Sequence, residues 1–288
     1  MKKFTIKLWA VLLLMLVSLQ TFATDNEYGL KDNIQDGVIL HCFDWTYAQI
    51  KEELPNIAAA GFSAVQTSPA HPREPVGAAW YMLYQPYDYK VGGNGLGTKD
   101  GLTELCTEAH HYGVKIIVDV VANHTNGSLS YVASFLQDKS LYHDYQGGID
   151  YSNRWQVTHG RLGMWDLKTE DSRVQEKIKE YVAELKSCGV DGIRWDAAKH
   201  IGLPSEGDTF WQNVPDQTMY NYGEILDGTG GDDTVSEKVE VVSQTTGVQL
   251  HPVAGESSAK AMIYNLQGQR VDANYRGVVV CNGRKYVQ

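Results

Sequence analysis

Positive charge is in short supply in this 288-residue chain: 25 Lys and Arg stand against 35 Asp and Glu, a formal net charge of −10. So acidic a surface repels phosphate backbones and argues against nucleic acid as a partner, while a neutral substrate is compatible with it. Cysteine is scarce too. Cys42, Cys106, Cys188 and Cys281 form no CxxC pair, so a cysteine metal centre has no support. Cys106 and Cys188 fall on apolar helix faces and are expected as buried thiols. No apolar run reaches the ~20 residues of a membrane-spanning helix. The longest, Leu8 to Leu19, follows Lys2, Lys3 and Lys7 and precedes Thr21-Phe22-Ala23. That is the pattern of a secretory signal peptide, residues 1–23, and implies a secreted or outer-surface protein.

What remains is the composition of a globular protein, with 43% hydrophobic and 21% charged residues. Disordered, collagen-like and coiled-coil classes are excluded. The length allows a sizeable core, in one large domain or two smaller ones. The 17 Tyr and 7 Trp supply flat amphipathic surfaces on which sugar rings stack, although core packing is the commoner use of any one of them.

From residue 37 onward, strand and helix signals alternate. Strands are expected at Gly37–Trp45, Phe62–Thr67, Val114–Val121, Val190–Asp196 and Met219–Leu226. The third, VKIIVDVV, is near-continuously apolar, as befits a strand covered on both faces. Helices are expected at Tyr47–Ala60, with an irregularity at Pro55, then after a cap at Asp100, at Ser172–Cys188, and weakly around Phe210 and Trp211. Residues 125–168 form an irregular excursion too long for a simple connection. Alternation of this kind means parallel pairing, in a doubly wound sheet or a (β/α)8 barrel. Asp119 and His124, Asp196 and His200, and Glu224 sit at C-terminal strand ends, where barrel enzymes place chemistry. No glycine-rich phosphate fingerprint follows the first strand, which counts against a dinucleotide-binding fold.

The strand ends carry a family resemblance. DVVANH (119–124), GIRWDAAKH (192–200) and GEIL (223–226), with WYMLYQPYDY (80–89) and MWDLKTE (164–170), occur in order on the right element ends. Over residues 37–232 the chain resembles the α-amylase family of glycoside hydrolases. The resemblance implies a retaining enzyme acting on α-1,4-glucans, with Asp196 as nucleophile and Glu224 as general acid/base. It implies sugar contacts by Trp80, Tyr84, Gln85, His124, Arg194, Lys199 and His200. It also implies a calcium site from the side chains of Asn123 and Asp166 and the backbone carbonyl of His200. Residue chemistry agrees. Retaining hydrolysis needs two carboxyls about 5–5.5 Å apart, and neighbouring strands lie about 4.8 Å apart. Arg194 shares a strand face with Asp196, and its charge is expected to favour the ionised carboxylate.

Two features depart from the family. Its third catalytic carboxylate, an Asp after a His or Asn, has no counterpart: the later Asp227, Asp232, Asp233 and Asp272 lack that setting. Strands six to eight are also missing, since only eight residues separate Leu226 from Val235. The expected fold class is therefore α/β: an incomplete (β/α)8-type barrel of about five βα units over 24–232, followed by a small β unit at 233–288. Open sheet edges invite self-association. The tail segment 261–287 resembles C-terminal sorting domains of a Gram-negative outer-membrane secretion route. The function expected is glucan hydrolysis impaired by truncation. The alternatives are a non-catalytic glucan-binding remnant and a product that does not fold.

Overall fold

The computed structural model describes residues 27–73, 79–145 and 147–225, and four strands between 263 and 287. The 1–23 stretch, the 227–234 linker, Asp227, Asp232, Asp233, Asp272 and the tail glycines Gly268, Gly277 and Gly283 lie outside the described residues. In chain order the elements are β1 (Ile39–Cys42), α1 (Tyr47–Ala59), β2 (Ala64–Thr67), α2 (Lys99–His111), β3 (Lys115–Val121) and β4 (His124–Thr125). They continue with α3 (Arg154–His159), β5 (Trp165–Asp166), α4 (Ser172–Ser187), β6 (Gly192–Asp196), α5 (Phe210–Asn213) and β7 (Tyr220–Gly223).

Five strands make one parallel sheet in the order β1-β2-β3-β6-β7. Each new strand is added on the same side, as in a barrel wall. A doubly wound sheet would reverse at a switch point. The sheet is therefore an incomplete (β/α) barrel, with β1 and β7 as its edges among the described residues.

Strand alternation sorts the side chains into two layers. Leu40, Val65, Ile116, Val118, Val120, Ile193 and Trp195 face outward into the main core, where they meet Ile50 and Leu54 of α1, Leu102 and Leu105 of α2, and Ile178 and Leu185 of α4. The inward face holds a small apolar cluster of Ile34, Ala64 and Ile117, joined by Ile39, Tyr220 and Tyr222. One pleat further along, that face turns polar: Asp119 lies opposite Arg194, and Arg194 opposite Tyr222.

Local signals explain the helix ends. Thr46 and Gln49 form a reciprocal capping box at the start of α1. The helix continues through Pro55, so the irregularity expected there did not end it. α2 is capped by Thr98, which accepts from Gly101 N–H at 3.0 Å. Asp100, expected as the cap, instead lies in the first turn, where its charge suits the helix dipole. Asp171 caps α4. The 125–168 excursion is closed at its base by antiparallel pairing of β4 with β5, His124 opposite Asp166. Cys42, Cys106 and Cys188 are buried free thiols. In the tail, β8 (Ile263–Asn265), β9 (Arg270–Val271), β10 (Val278–Cys281) and β11 (Arg284–Val287) form a separate antiparallel sheet ordered β11-β10-β8-β9.

Gly192 is a tight point in the inward layer. A Cβ there would stand 2.9 Å from the Tyr220 carbonyl oxygen and 3.3 Å from Ile117 Cγ1. Backbone of the neighbouring strand cannot step aside cheaply, so Gly192→Ala is expected to lower stability by about 1–3 kcal/mol. Urea unfolding followed by circular dichroism checks this; an unchanged midpoint would contradict it.

Candidate active site

The C-terminal ends of β3, β6 and β7 bring three carboxylates to one guanidinium. Arg194 Nη1 donates to Asp119 Oδ1 at 2.7 Å and to Asp196 Oδ1 at 2.8 Å, and its Nη2 lies 2.8 Å from Glu224 Oε1. Register produces this convergence. Trp195 is the β6 partner of Gly223, so Asp196 and Glu224 are the next residues along paired strands. Their separation cannot exceed the span of one guanidinium plus two hydrogen bonds. After Asp196 the chain turns sharply through Ala197 in the left-handed region, φ 50°. Ala197 N–H then donates to Glu224 Oε2 at 3.2 Å.

One cation cannot neutralise three anions. Burial and the nearby Asp119 push the Asp196 carboxyl well above its ordinary range; Arg194 opposes this, and Glu224 adds to it. Arg194 does favour the ionised Asp196, as its place on the strand implied, but burial and Asp119 outweigh it because the guanidinium is shared. Asp119 is not a substitute for the missing third acid. It is fully buried, with Tyr84 donating its hydroxyl to Oδ2 at 2.9 Å and Arg194 holding Oδ1.

A cavity of about 350 Å³ opens above the two acids. Asp196, Glu224, Trp80, Tyr84, Gln85, His124, Lys199 and His200 all line it. The structure thus brings these eight residues to one space. Trp80 and Tyr81 form its exposed rim, 62% and 48% accessible, and the Phe43 ring lies edge-on to Trp80 and stacks on Tyr84. His124 is buried, and burial pulls it down to about 4, so its ring is neutral. Its Nε2 lies 3.0 Å from the Tyr84 carbonyl, which can only accept, so that nitrogen carries the proton and spends it there. His200 places Nδ1 2.8 Å from the Val157 carbonyl, which leaves Nε2 as its second polar atom. Lys199 Nζ lies over the Tyr151 ring, 5.2 Å from its centre. Arg194, expected to touch sugar, instead spends its charge on the three carboxylates beneath the cavity.

Several contributors escaped sequence reasoning. Tyr81, Tyr151, Leu162 and Met164 also line the cavity, and the last three come from the irregular excursion, where no periodicity marks them. Arg154 of α3 bonds the Lys199 carbonyl, the Ile201 carbonyl at 2.9 Å and Glu206 at 2.8 Å. It thereby pins the segment that carries Lys199 and His200.

The residues expected to hold calcium are partly assembled. Asn123 Nδ2 donates to Asp166 Oδ1 at 3.0 Å, and both side chains are buried. Asn123 Oδ1 is buried without a hydrogen-bond partner. An orphaned neutral oxygen beside a buried carboxylate fits a hard cation.

An incomplete (β/α) barrel with paired acids at its strand ends is the architecture of a carbohydrate-active barrel enzyme. A family model described as "Alpha amylase, catalytic domain" matches residues 44–277, and the chain belongs to that alpha-amylase family. The match reaches past residue 232 into the tail. The alpha-amylase of Clostridium acetobutylicum is 40% identical over 227 residues, covering 72% of this chain and 30% of that protein. That of Butyrivibrio fibrisolvens is 33% identical over 246 residues, covering 71% of this chain and 25% of that one. Among solved structures, an alpha-amylase from Malbranchea cinnamomea is similar at TM-score 0.59 and 26% identity, covering 68% of this chain and 49% of that one. An Eisenia fetida alpha-amylase I variant in complex with maltohexaose is similar in fold at TM-score 0.61 and 24% identity, covering 69% and 47%. The chain thus spans under a third of these curated relatives and about half of the solved structures.

The raised Asp196 has a stability consequence. Its folded form holds the proton more tightly than the unfolded chain does, so its contribution is complete in acid. It is lost as pH rises from the ordinary carboxylate range, about 4, toward neutrality. Asp196→Asn removes that titration. The variant is expected to melt near the wild-type temperature at pH 4 and above it at pH 8. Equal melting temperatures at pH 8 would contradict the crowding of charge described here.

Proposed function

We propose that this chain is an α-amylase-type retaining glycoside hydrolase by descent, directed at α-1,4-glucans such as starch, glycogen and maltooligosaccharides, with turnover impaired by its incomplete barrel. The observation that carries this reading is the presentation of Asp196 and Glu224 together, on one guanidinium, at the floor of an aromatic-rimmed cavity. Asp196 attacks the anomeric carbon and Glu224 protonates the leaving oxygen, then activates water for the second step. Productive chemistry requires Asp196 ionised, the reverse of the direction in which its surroundings push it. Both Glu224 oxygens also accept hydrogen bonds, from Arg194 and Ala197, so one contact must open before the leaving group is protonated. Trp80 and Tyr84 serve as stacking platforms. Gln85, Lys199 and His200 supply polar contacts, and His124 orients Tyr84.

Loss of a third preorganised acid alone costs roughly 10²–10³ in rate, by analogy with the removal of other charge-stabilising groups. Reducing-sugar release from soluble starch is therefore expected at least about 10²-fold below a full-length relative. Asp196→Asn should abolish what remains with the circular dichroism spectrum intact. A normal amylase rate, or turnover surviving in that variant, would refute the reading.

A non-catalytic glucan-binding role is favoured by one observation: among the described residues the exposed Trp80–Tyr81 rim is assembled while the sheet stops at five strands. Maltohexaose binding without turnover, abolished by Trp80→Ala, selects it.

Calcium is assigned to Asn123 and Asp166, with the His200 carbonyl as third donor; the ion would tie the excursion to the end of β3. Added calcium is expected to raise the melting temperature of the wild type and not of Asn123→Ala. Export through residues 1–23, sorting through the 261–287 tail and self-association through the β1 and β7 edges complete the proposal.

A further inference from the structure

The excursion carries a second cluster of ligand-type side chains that plays no part in the glucan site. His143, His159 and Glu170 each offer one donor atom, and these atoms lie within 4.8 Å of one another. We propose that they form a binding site for a divalent transition-metal ion of the zinc type, separate from the calcium position.

Hydrogen bonds behind the ligands orient them for this. His143 Nδ1 lies 2.6 Å from Asp166 Oδ2, and its Nε2 lies 3.2 Å from Glu170 Oε1. Nδ1–H therefore donates to Asp166, and a metal shared with Glu170 would take the place of the proton on Nε2. His159 Nδ1 lies 3.1 Å from the Trp155 carbonyl and 2.9 Å from Thr158 Oγ1. The Thr158 hydroxyl donates to the carbonyls of Arg154 and Trp155. Thr158 Oγ1 and the Trp155 carbonyl both accept from His159, so Nδ1 holds the proton and Nε2 keeps its lone pair. Ligating histidines characteristically donate their other ring N–H to a carboxylate or backbone carbonyl in this manner.

Distances agree. Donors about 2.0–2.2 Å from a tetrahedral ion stand about 3.4 Å apart. The His143–Glu170 pair, at 3.2 Å, is already at that spacing. His159 is held close by contact of the two imidazole rings, centroids 4.2 Å apart, and by the exposed Trp155 indole stacked 4.7 Å from its other neighbour side. Two imidazoles and one carboxylate are a borderline donor set that suits zinc. Calcium asks for six to eight oxygens, so the cluster discriminates against it. Glu170 is part-exposed, 41% for its side chain, so water can complete a fourth position. The three ligands come from the loop before α3, the end of α3 and the turn before α4. A bound ion would staple the excursion to itself and to the following helix.

The test uses the full chain without an affinity tag, stripped with chelator and titrated with zinc chloride by calorimetry. Elemental analysis gives the stoichiometry. One zinc per chain is expected, with a rise in melting temperature that excess calcium does not reverse. His159→Gln and Glu170→Gln should each weaken zinc binding at least about tenfold while circular dichroism stays unchanged. If one variant fails to fold, the other decides. No zinc uptake by the wild type at about 100 μM metal, wild-type affinity in a folded variant, or displacement of zinc by calcium would overturn the proposal.

Discussion

A single guanidinium among three carboxylates, two of them buried, governs the functional end of this molecule. Arg194 is the point to which β3, β6 and β7 all commit a charge, and the geometry of the acids is the geometry of its hydrogen bonds. Removing the guanidinium from such a set would leave buried carboxylates uncompensated, which costs several kcal/mol in comparable sites. The same economy explains why Asp196 is crowded. With one positive charge for three negative ones, burial and the nearby Asp119 and Glu224 raise the Asp196 carboxyl against the opposing pull of Arg194. The arrangement holds the acids in register and, at the same time, pushes the Asp196 carboxyl upward against the pull of Arg194.

Around this core the fold divides labour by layer. The outward face of the sheet is apolar and sealed by α1, α2 and α4, so it supplies stability. The inward face would be the packed interior of a closed barrel; here it holds a small apolar cluster and then the charged row. The excursion contributes in a different way. Its backbone is closed by the short β4–β5 pairing, and its side chains supply much of what meets a ligand: Tyr151, Leu162 and Met164 in the cavity wall, Arg154 behind Lys199 and His200. The same excursion brings two histidines and a glutamate together outside the lining of that cavity. An irregular segment of this length is held by specific polar contacts because it has no repeating hydrogen-bond ladder to rely on.

Most of the architecture was legible in the residue order. All five parallel strands fall inside the expected segments, because apolar runs bounded by Gly61, Gly113 and Gly189 leave little choice of boundary. The stripe Val174, Ile178, Tyr181, Val182 and Leu185 is buried as its spacing requires. Failures were local. The cap of α2 fell two residues earlier, at Thr98, because a hydroxyl and a carboxylate so close together compete for the same exposed N–H groups. Pro55 sits inside an unbroken α1 because burial of Ile50, Leu54, Ile57 and Ala58 outweighs one missing hydrogen bond. Of the site, the residues on strand ends were legible and those in the excursion were not, since only the former are tied to a periodic pattern.

Sequence alone determined which acids stand at strand ends, which face of each strand they share, and the five strands that form the parallel sheet among the described residues. Those are matters of period and count, and each is local. Tertiary structure alone decided that Arg194 serves three carboxylates at once, that His124 spends its proton on a backbone carbonyl, and that His143 and His159 turn toward Glu170. Such outcomes depend on distances between segments far apart in the chain. A carboxylate's protonation or a ring's tautomer is set by whichever neighbours folding delivers, and no linear pattern records them.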